Sequence, residues 1–192
     1  MPARDVAALA RAQEEGEPLR FLFFWGHQPP RGGGVGKGCL SQWWEAPFTV
    51  AGEVYPTAEH YMMAEKARLF GDEATRRRVL EAPHPRAAKE LGRRVRGFAE
   101  EVWAEHRYAV VVRGNRAKFT QNPDLGAFLA GTGDRVLVEA SPVDRIWGIG
   151  LAADDERAAT VAQWRGLNLL GFALMDVREE LHTDHFRSIN AG

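Results

Sequence analysis

The chain has 192 residues, 45% of them hydrophobic, with 25 Lys and Arg against 26 Asp and Glu for a net charge of −1. That length and apolar content suit one domain that buries a core without staples, and the charge balance excludes the broad basic footprint of a non-specific nucleic-acid binder while allowing a local basic pocket. The single cysteine, Cys39, excludes an internal disulfide and any multi-cysteine metal cage, as in a reducing compartment.

Residues 3 to 15 place Val6, Ala7, Leu9 and Ala10 among charges, which predicts a weak helix ended by Gly16 and Pro18. The segment is too charged for a secretory signal, and no run approaches the roughly 20 apolar residues of a membrane span. A cytoplasmic globular protein without membrane contact is expected. "FLFFW" (21–25) has strand length and leads into "GHQPPRGGGVGKG", a glycine- and proline-dense loop that lacks the Walker pattern. "FTVAGEVY" (48–55) reads as two short strands about a turn at Ala51-Gly52. A Thr57 N-cap then opens a helix over "AEHYMMAEKARLF" that Gly71 closes. Further helices fit "GDEATRRRVLEA", "HPRAAKELGRRV", "FAEEVWAEHRYAVVVRGNRAKF" and "PDLGAFLAG". "RVLVEAS" (135–141) is a strand candidate that delivers Asp144 just beyond its end. Residues 154–181 are helical in pattern with an interruption at Gly166 and a second candidate at Gly171, and the tail "HTDHFRSINAG" has little to hold it. The fold class expected is α+β: a compact, predominantly helical single domain with a few short strands.

Three segments carry residues suited to chemistry. On the Thr57 helix, Glu59, Met63, Lys66 and Phe70 fall on one stripe. Seven residues separate the carboxylate from the ammonium by about 10 Å along the axis, too far for a direct pair, so each needs another partner or a polar pocket. The alternative is a Glu59 that supports the helix dipole and a Lys66 in solvent. In "SPVDRIWGIG" (141–150), Asp144 is either a site acid beside Trp147 and Gly148 or the opening residue of a turn. "RGNRAKF" gathers Arg113, Arg116 and Lys118, which suit phosphate oxygens or a solvated helix end. Trp43-Trp44 beside Ser41 suit base stacking or packing on the strands. The six histidines show no ligand spacing, and His60 beside Glu59 forms no HExxH, so neither a metal nor a cofactor is expected.

In order along the chain, "CLSQWWEAPFTVAGEVYPTAEHYMMAEKA", "NRAKFTQNPDLGAFLAGTGDRVLVEASPVDRIWGIGL" and "WRGLNLLGFALMDVREEL" resemble the NADAR, or YbiA-like, family, from about Phe21 to Leu181. The resemblance implies an N-glycosidase domain over 19–182, with 1–18 as an N-terminal helical extension and 183–192 as a C-terminal tail. It implies cleavage of a ribose C1–N bond in a phosphorylated ribosyl compound. The partner is then a small-molecule ribosylaminopyrimidine phosphate of riboflavin biosynthesis or an ADP-ribosylated guanine, free or within nucleic acid. The family pattern carries functional positions onto Glu59 and Lys66, onto Asp144 and Trp147 in the DxxWG segment, and onto Asn168 and Gly171 in WxGxNxLG. The catalytic set expected is therefore Glu59, Lys66 and Asp144. The substrate-binding set expected is Ser41, Trp43, Trp44, His60, Arg113, Arg116, Lys118, Trp147, Gly148 and Asn168. The chain departs from the family at Gln42, where an asparagine is common, which bears on base recognition and leaves the bond-breaking groups intact. The rival reading is a non-catalytic ADP-ribose or nucleotide-binding module, which has no need of an acid–lysine set. Oligomeric state is not legible.

Overall fold

Thr57 stands in extended backbone at φ −144°, and its Oγ1 accepts a hydrogen bond from the His60 amide. The helix therefore starts where an N-cap threonine predicts. The computed structural model describes residues 4–190, with side chains through Thr183. In chain order these form α1 (Val6–Glu14), β1 (Phe21–Phe24), β2 (Phe48–Val50), β3 (Glu53–Tyr55), α2 (Ala58–Leu69), α3 (Glu73–Leu80), α4 (Pro85–Gly92), α5 (Glu100–Gln121), α6 (Pro123–Ala130), β4 (Val136–Glu139) and α7 (Leu169–Asn190). The expected α+β class, mostly helical with a few short strands, is what the chain adopts. It groups into two units, Gln42–Gly126 and Met1–Ser41 with Ala127–Gly192, whose boundary falls inside α6.

The first unit is built on α2, which packs against α3, α4 and α5. Ahead of it, β2 and β3 pair antiparallel with Phe48 opposite Tyr55, around a turn in which Ala51 and Gly52 both take positive φ (51° and 83°). Two such residues match the right-handed twist of a two-residue hairpin. Phe48, Tyr55 and Tyr61 pack ring to ring, with Tyr55 and Tyr61 edge-on at 5.0 Å, and so fasten the hairpin to α2. The long α5 buries Trp103, Val110, Val111 and Phe119, each contributing roughly 1.5–3 kcal/mol when fully buried. Close approach of α5 to α2 requires Gly114, where a Cβ would stand 2.5 Å from the Tyr61 ring.

In the second unit, β1 and β4 pair in parallel with Phe21 opposite Val136, and α7 packs on β4. A Cβ at Gly171 would stand 2.0 Å from the Leu137 carbonyl, so Gly171 lets α7 lie on the strand instead of interrupting the helix. α1 belongs to this unit: the Gln13 side chain bonds both Ala159 O and Val161 N, and Arg4 pairs with Asp176 and Glu179.

One expected helix is corrected. Residues 154–168 form two short 3-10 turns, Glu156–Ala159 and Val161–Gln163, and the α-helix begins only at Leu169. The reason is competition for backbone donors. The amides of Arg165, Leu167, Asn168, Leu169 and Leu170 donate to carbonyls of residues 145–149, which a continuous helix would forbid. The helix then continues to Asn190, through most of the expected tail; residues 191 and 192 lie outside the described residues.

Candidate active site

Glu59 is 2% exposed, and its amide donates to the Gln42 carbonyl at 3.0 Å. A carboxylate buried in the first turn of a helix does not fit a solvated face, because charged side chains are seldom fully buried unless they are paired. Lys66 lies two turns further on. Its Nζ stands 4.1 Å from the centroid of the Phe98 ring and 5.7 Å from that of Trp103. Burial pulls the Lys66 pKa below the ordinary lysine value, against an upward pull from the Glu100 carboxylate. Half-burial among aromatic rings lowers the cost of holding a neutral amine at this position. The stripe expected from spacing is thus apolar around its two charges: Lys66 is half-buried, and Glu59 is buried in the first turn of α2, where its charge favours the helix dipole.

Several residues expected to touch substrate are committed elsewhere. His60 is buried. Its Nε2 lies 3.0 Å from the Ala82 carbonyl and its Nδ1 lies 2.8 Å from Thr57 Oγ1. A carbonyl only accepts, so Nε2 carries the hydrogen and Nδ1 accepts from the threonine hydroxyl. The ring staples the start of α2 to the end of α3, with both nitrogens engaged within the protein. Arg113, Arg116 and Lys118 do not share a face of α5, since Arg113 and Arg116 are exposed while Lys118 is 0% exposed, with Nζ 5.0 Å from the Phe119 ring centroid. Helical spacing turns Lys118 about 200° from Arg116, so the expected three-cation cluster does not form. Arg113 approaches Glu65 at 3.5 Å. Trp43 and Trp44 are half-buried, and Lys89 of α4 stands over the Trp43 ring at 5.9 Å. Gln42 is also buried, its Oε1 accepting from Asn115 Nδ2 at 2.8 Å.

Asp144, Trp147, Gly148 and Asn168 belong to the other unit, as does Ser41, whose amide bonds the Gly38 carbonyl. Asp144 Oδ1 accepts from the amides of Ile146 (2.9 Å) and Trp147 (2.7 Å), and the Asp144 amide donates to Ser141 Oγ. The turn reading of this aspartate is therefore realised, and its other oxygen lies outside those bonds. The turn sets the half-buried Trp147 in place. Gly148 is a packing requirement, because a Cβ there would stand 2.7 Å from the Glu139 carbonyl. Asn168 is 0% exposed, with Oδ1 accepting from the Glu139 amide at 3.0 Å and Nδ2 donating to the Leu137 carbonyl at 2.9 Å. Its side chain bridges backbone groups of β4, so Asn168 orients the strand-to-turn segment.

Sequence reading missed Phe98 and Trp103 beside Lys66, and Asn115 beside Gln42. No periodicity links a helix position to a loop or helix more than thirty residues away; the weak signal was "GFAEEVW", an aromatic pair at the head of α5. Among the described residues, no group of three or more His, Cys, Asp or Glu is placed to hold a metal, and no helix is long and apolar enough to cross a membrane.

Comparison with known proteins covers both units. The NADAR domain model matches residues 23–182 in one span. An N-glycosidase of Acanthamoeba polyphaga mimivirus is 43% identical over 169 residues, 85% of this chain and 98% of that protein. N-glycosidase YbiA of Escherichia coli is 33% identical over 135 residues, covering 70% of this chain and 76% of YbiA. The NMR structure of E. coli YbiA superposes with a TM-score of 0.70 at 28% identity, covering 87% of this chain and 88% of that one. A riboflavin biosynthesis protein of Vibrio vulnificus is 35% identical over 144 residues, 75% of this chain but 35% of that protein. With the family model spanning residues 23–182 and the mimivirus relative 43% identical over 98% of its own length, the chain belongs to the NADAR family.

Proposed function

We propose that this chain is an N-glycosidase that hydrolyses the ribose C1–N bond of a phosphorylated ribosyl compound. The observation that carries the reading is Lys66, an amine held half-buried between Phe98 and Trp103 on the helix that also buries Glu59. Curated relatives bearing the N-glycosidase name support the reaction class. The riboflavin-pathway relative supports a ribosylaminopyrimidine phosphate as substrate, with an ADP-ribosylated guanine as the second candidate of the same bond type.

A ribosylamine opens by breaking its ring C1–O bond: the nitrogen lone pair forms the C1=N bond of a protonated imine, and the ring oxygen takes a proton from a carboxyl group acting as acid. The neutral Lys66 amine adds to that carbon. The departing amine takes a proton as its C1–N bond breaks, leaving a Schiff base on Lys66, and water then adds to release the sugar and restore the amine. Glu59, on the same helix as Lys66, is the group assigned to move protons, with its carboxylate charge also favouring positive character at C1. Trp43 and Trp44 are the stacking surfaces for the base. Arg113 and Arg116, exposed on α5, are the phosphate contacts.

Incubation with a ribosylaminopyrimidine phosphate and with ADP-ribosylated guanosine, followed by borohydride reduction and peptide mapping, tests this directly. The expected result is base release with one substrate and a reduced sugar adduct on Lys66. Turnover of neither substrate by folded protein overturns the reading, and turnover without an adduct at Lys66 overturns the covalent route.

A further inference from the structure

Phe98 is a large apolar side chain left 41% exposed. It is nevertheless firmly held. Two residues earlier, Arg96 donates through its amide (2.9 Å) and its guanidinium (3.0 and 3.3 Å) to the buried Asp72 carboxylate at the head of α3. Those bonds from Arg96, with more from Thr75, hold the Asp72 carboxyl well below the usual carboxylate range, so the clamp is closed at any working pH. Gly97 then turns the chain at φ 71°, a left-handed conformation that suits glycine. The Phe98 ring meets Phe70 edge-on at 5.3 Å and covers Lys66 Nζ at 4.1 Å. A charged clamp, a glycine turn and an edge contact are more than a surface phenylalanine needs for its own burial.

We propose that Phe98 is a positioning residue for Lys66: its ring closes over the amine, excludes water from it and holds it in one orientation. This rests on the nucleophilic role given to Lys66 above. The ring acts in two opposed ways. Its face attracts an ammonium, while its bulk keeps water from solvating that charge. Of the charges on the three helices packed against α2, Glu100 at the head of α5 is the one that bears on Lys66, and it favours the ammonium too. Desolvation by burial outweighs it. Water exclusion is therefore the contribution that matters for an amine required in neutral form.

The two contributions separate by substitution. Phe98→Ala removes both face and bulk, whereas Phe98→Leu keeps most of the bulk and removes the face. The readout is the rate of amine acylation at Lys66, followed by mass spectrometry across pH, beside the pH profile of kcat/KM. In Phe98→Ala, Lys66 is expected to titrate at higher pH than in the wild type. Turnover near neutral pH is then expected to fall on the order of tenfold through kcat, recovering at alkaline pH. Phe98→Leu should titrate at or below the wild-type position. Equal titration of Lys66 in the wild type and Phe98→Ala, or a Leu variant that follows Ala, overturns the proposal and leaves the glycosidase reading standing. A drop in rate by the same factor at every pH, without rescue by Leu, also overturns it in favour of a purely structural ring. Full turnover by Lys66→Ala sinks the nucleophile assignment itself, a different outcome from any of these.

Discussion

The helix α2 and the turn at 144–147 each present an acid and an aromatic neighbourhood, yet they use them differently. On α2 the backbone donors and acceptors satisfy one another within the helix, so Glu59 and Lys66 carry no backbone duty beyond the first turn. The turn has no such ladder. Asp144 supplies it, with Oδ1 taking the amides of Ile146 and Trp147. The contrast teaches that a functional group on a helix can be read by what surrounds its side chain, whereas one on a loop must first be discounted for what it does to hold the loop.

The sharpest break in this comparison is Lys66→Ala. Removal of a covalent catalyst is expected to lower turnover on the order of a thousandfold with little change in melting temperature, measured by base release and calorimetry. Next comes Asn168→Ala, which strands the Glu139 amide and the Leu137 carbonyl at roughly 1–3 kcal/mol each. It should show first as lost stability in denaturant unfolding, with activity following the folded fraction. Asp144 holds the turn and is expected from the family pattern to be catalytic, and a pair of substitutions tests the second role apart from the first. Asp144→Asn keeps an oxygen for the turn and loses the charge, so its melting temperature should stay near wild type while turnover falls about a hundredfold. Asp144→Ala should add a loss of roughly 0.5–2 kcal/mol, as for an uncapped turn. Wild-type turnover in the asparagine variant would make this acid a turn-former only.

The smallest effect is a pH slope in stability. Burial lowers the His60 pKa from its ordinary value of 6.5, so below that value the unfolded chain binds a proton that the folded chain resists. Stability from this group is full above about pH 6.5 and declines as pH falls through that value toward the lower folded pKa, by at most about 1.4 kcal/mol per pH unit. His60→Gln should flatten the slope in chemical denaturation, and an unchanged slope would assign it to another group.

Local rules served well where a signal and its consequence sit within one turn of chain. The Thr57 cap and the Ala51-Gly52 hairpin lie where cap and turn signals put them, and α3, α4 and α6 form within the segments that periodicity marked. They failed at 154–168, where periodicity favoured a helix but the carbonyls of 145–149 claimed the amides of 165–170. Among site residues, the common stripe of Glu59 and Lys66 was legible because helix geometry sets it. The commitments of His60 and Asn168 were not, since their partners, Ala82 and the β4 backbone, are set by packing.

By itself the sequence determined most of the elements before residue 154, their order, the family, and the acid and amine on one helix face, because each of these depends on short spacing or on ordered motifs. Only the tertiary structure decided that Glu59 is buried, that Lys66 lies under Phe98 and beside Trp103, and that of the opposed Arg116 and Lys118 it is Lys118 that faces the core. Burial and proximity between distant segments depend on how helices and loops pack, and a spacing along the chain carries no record of them.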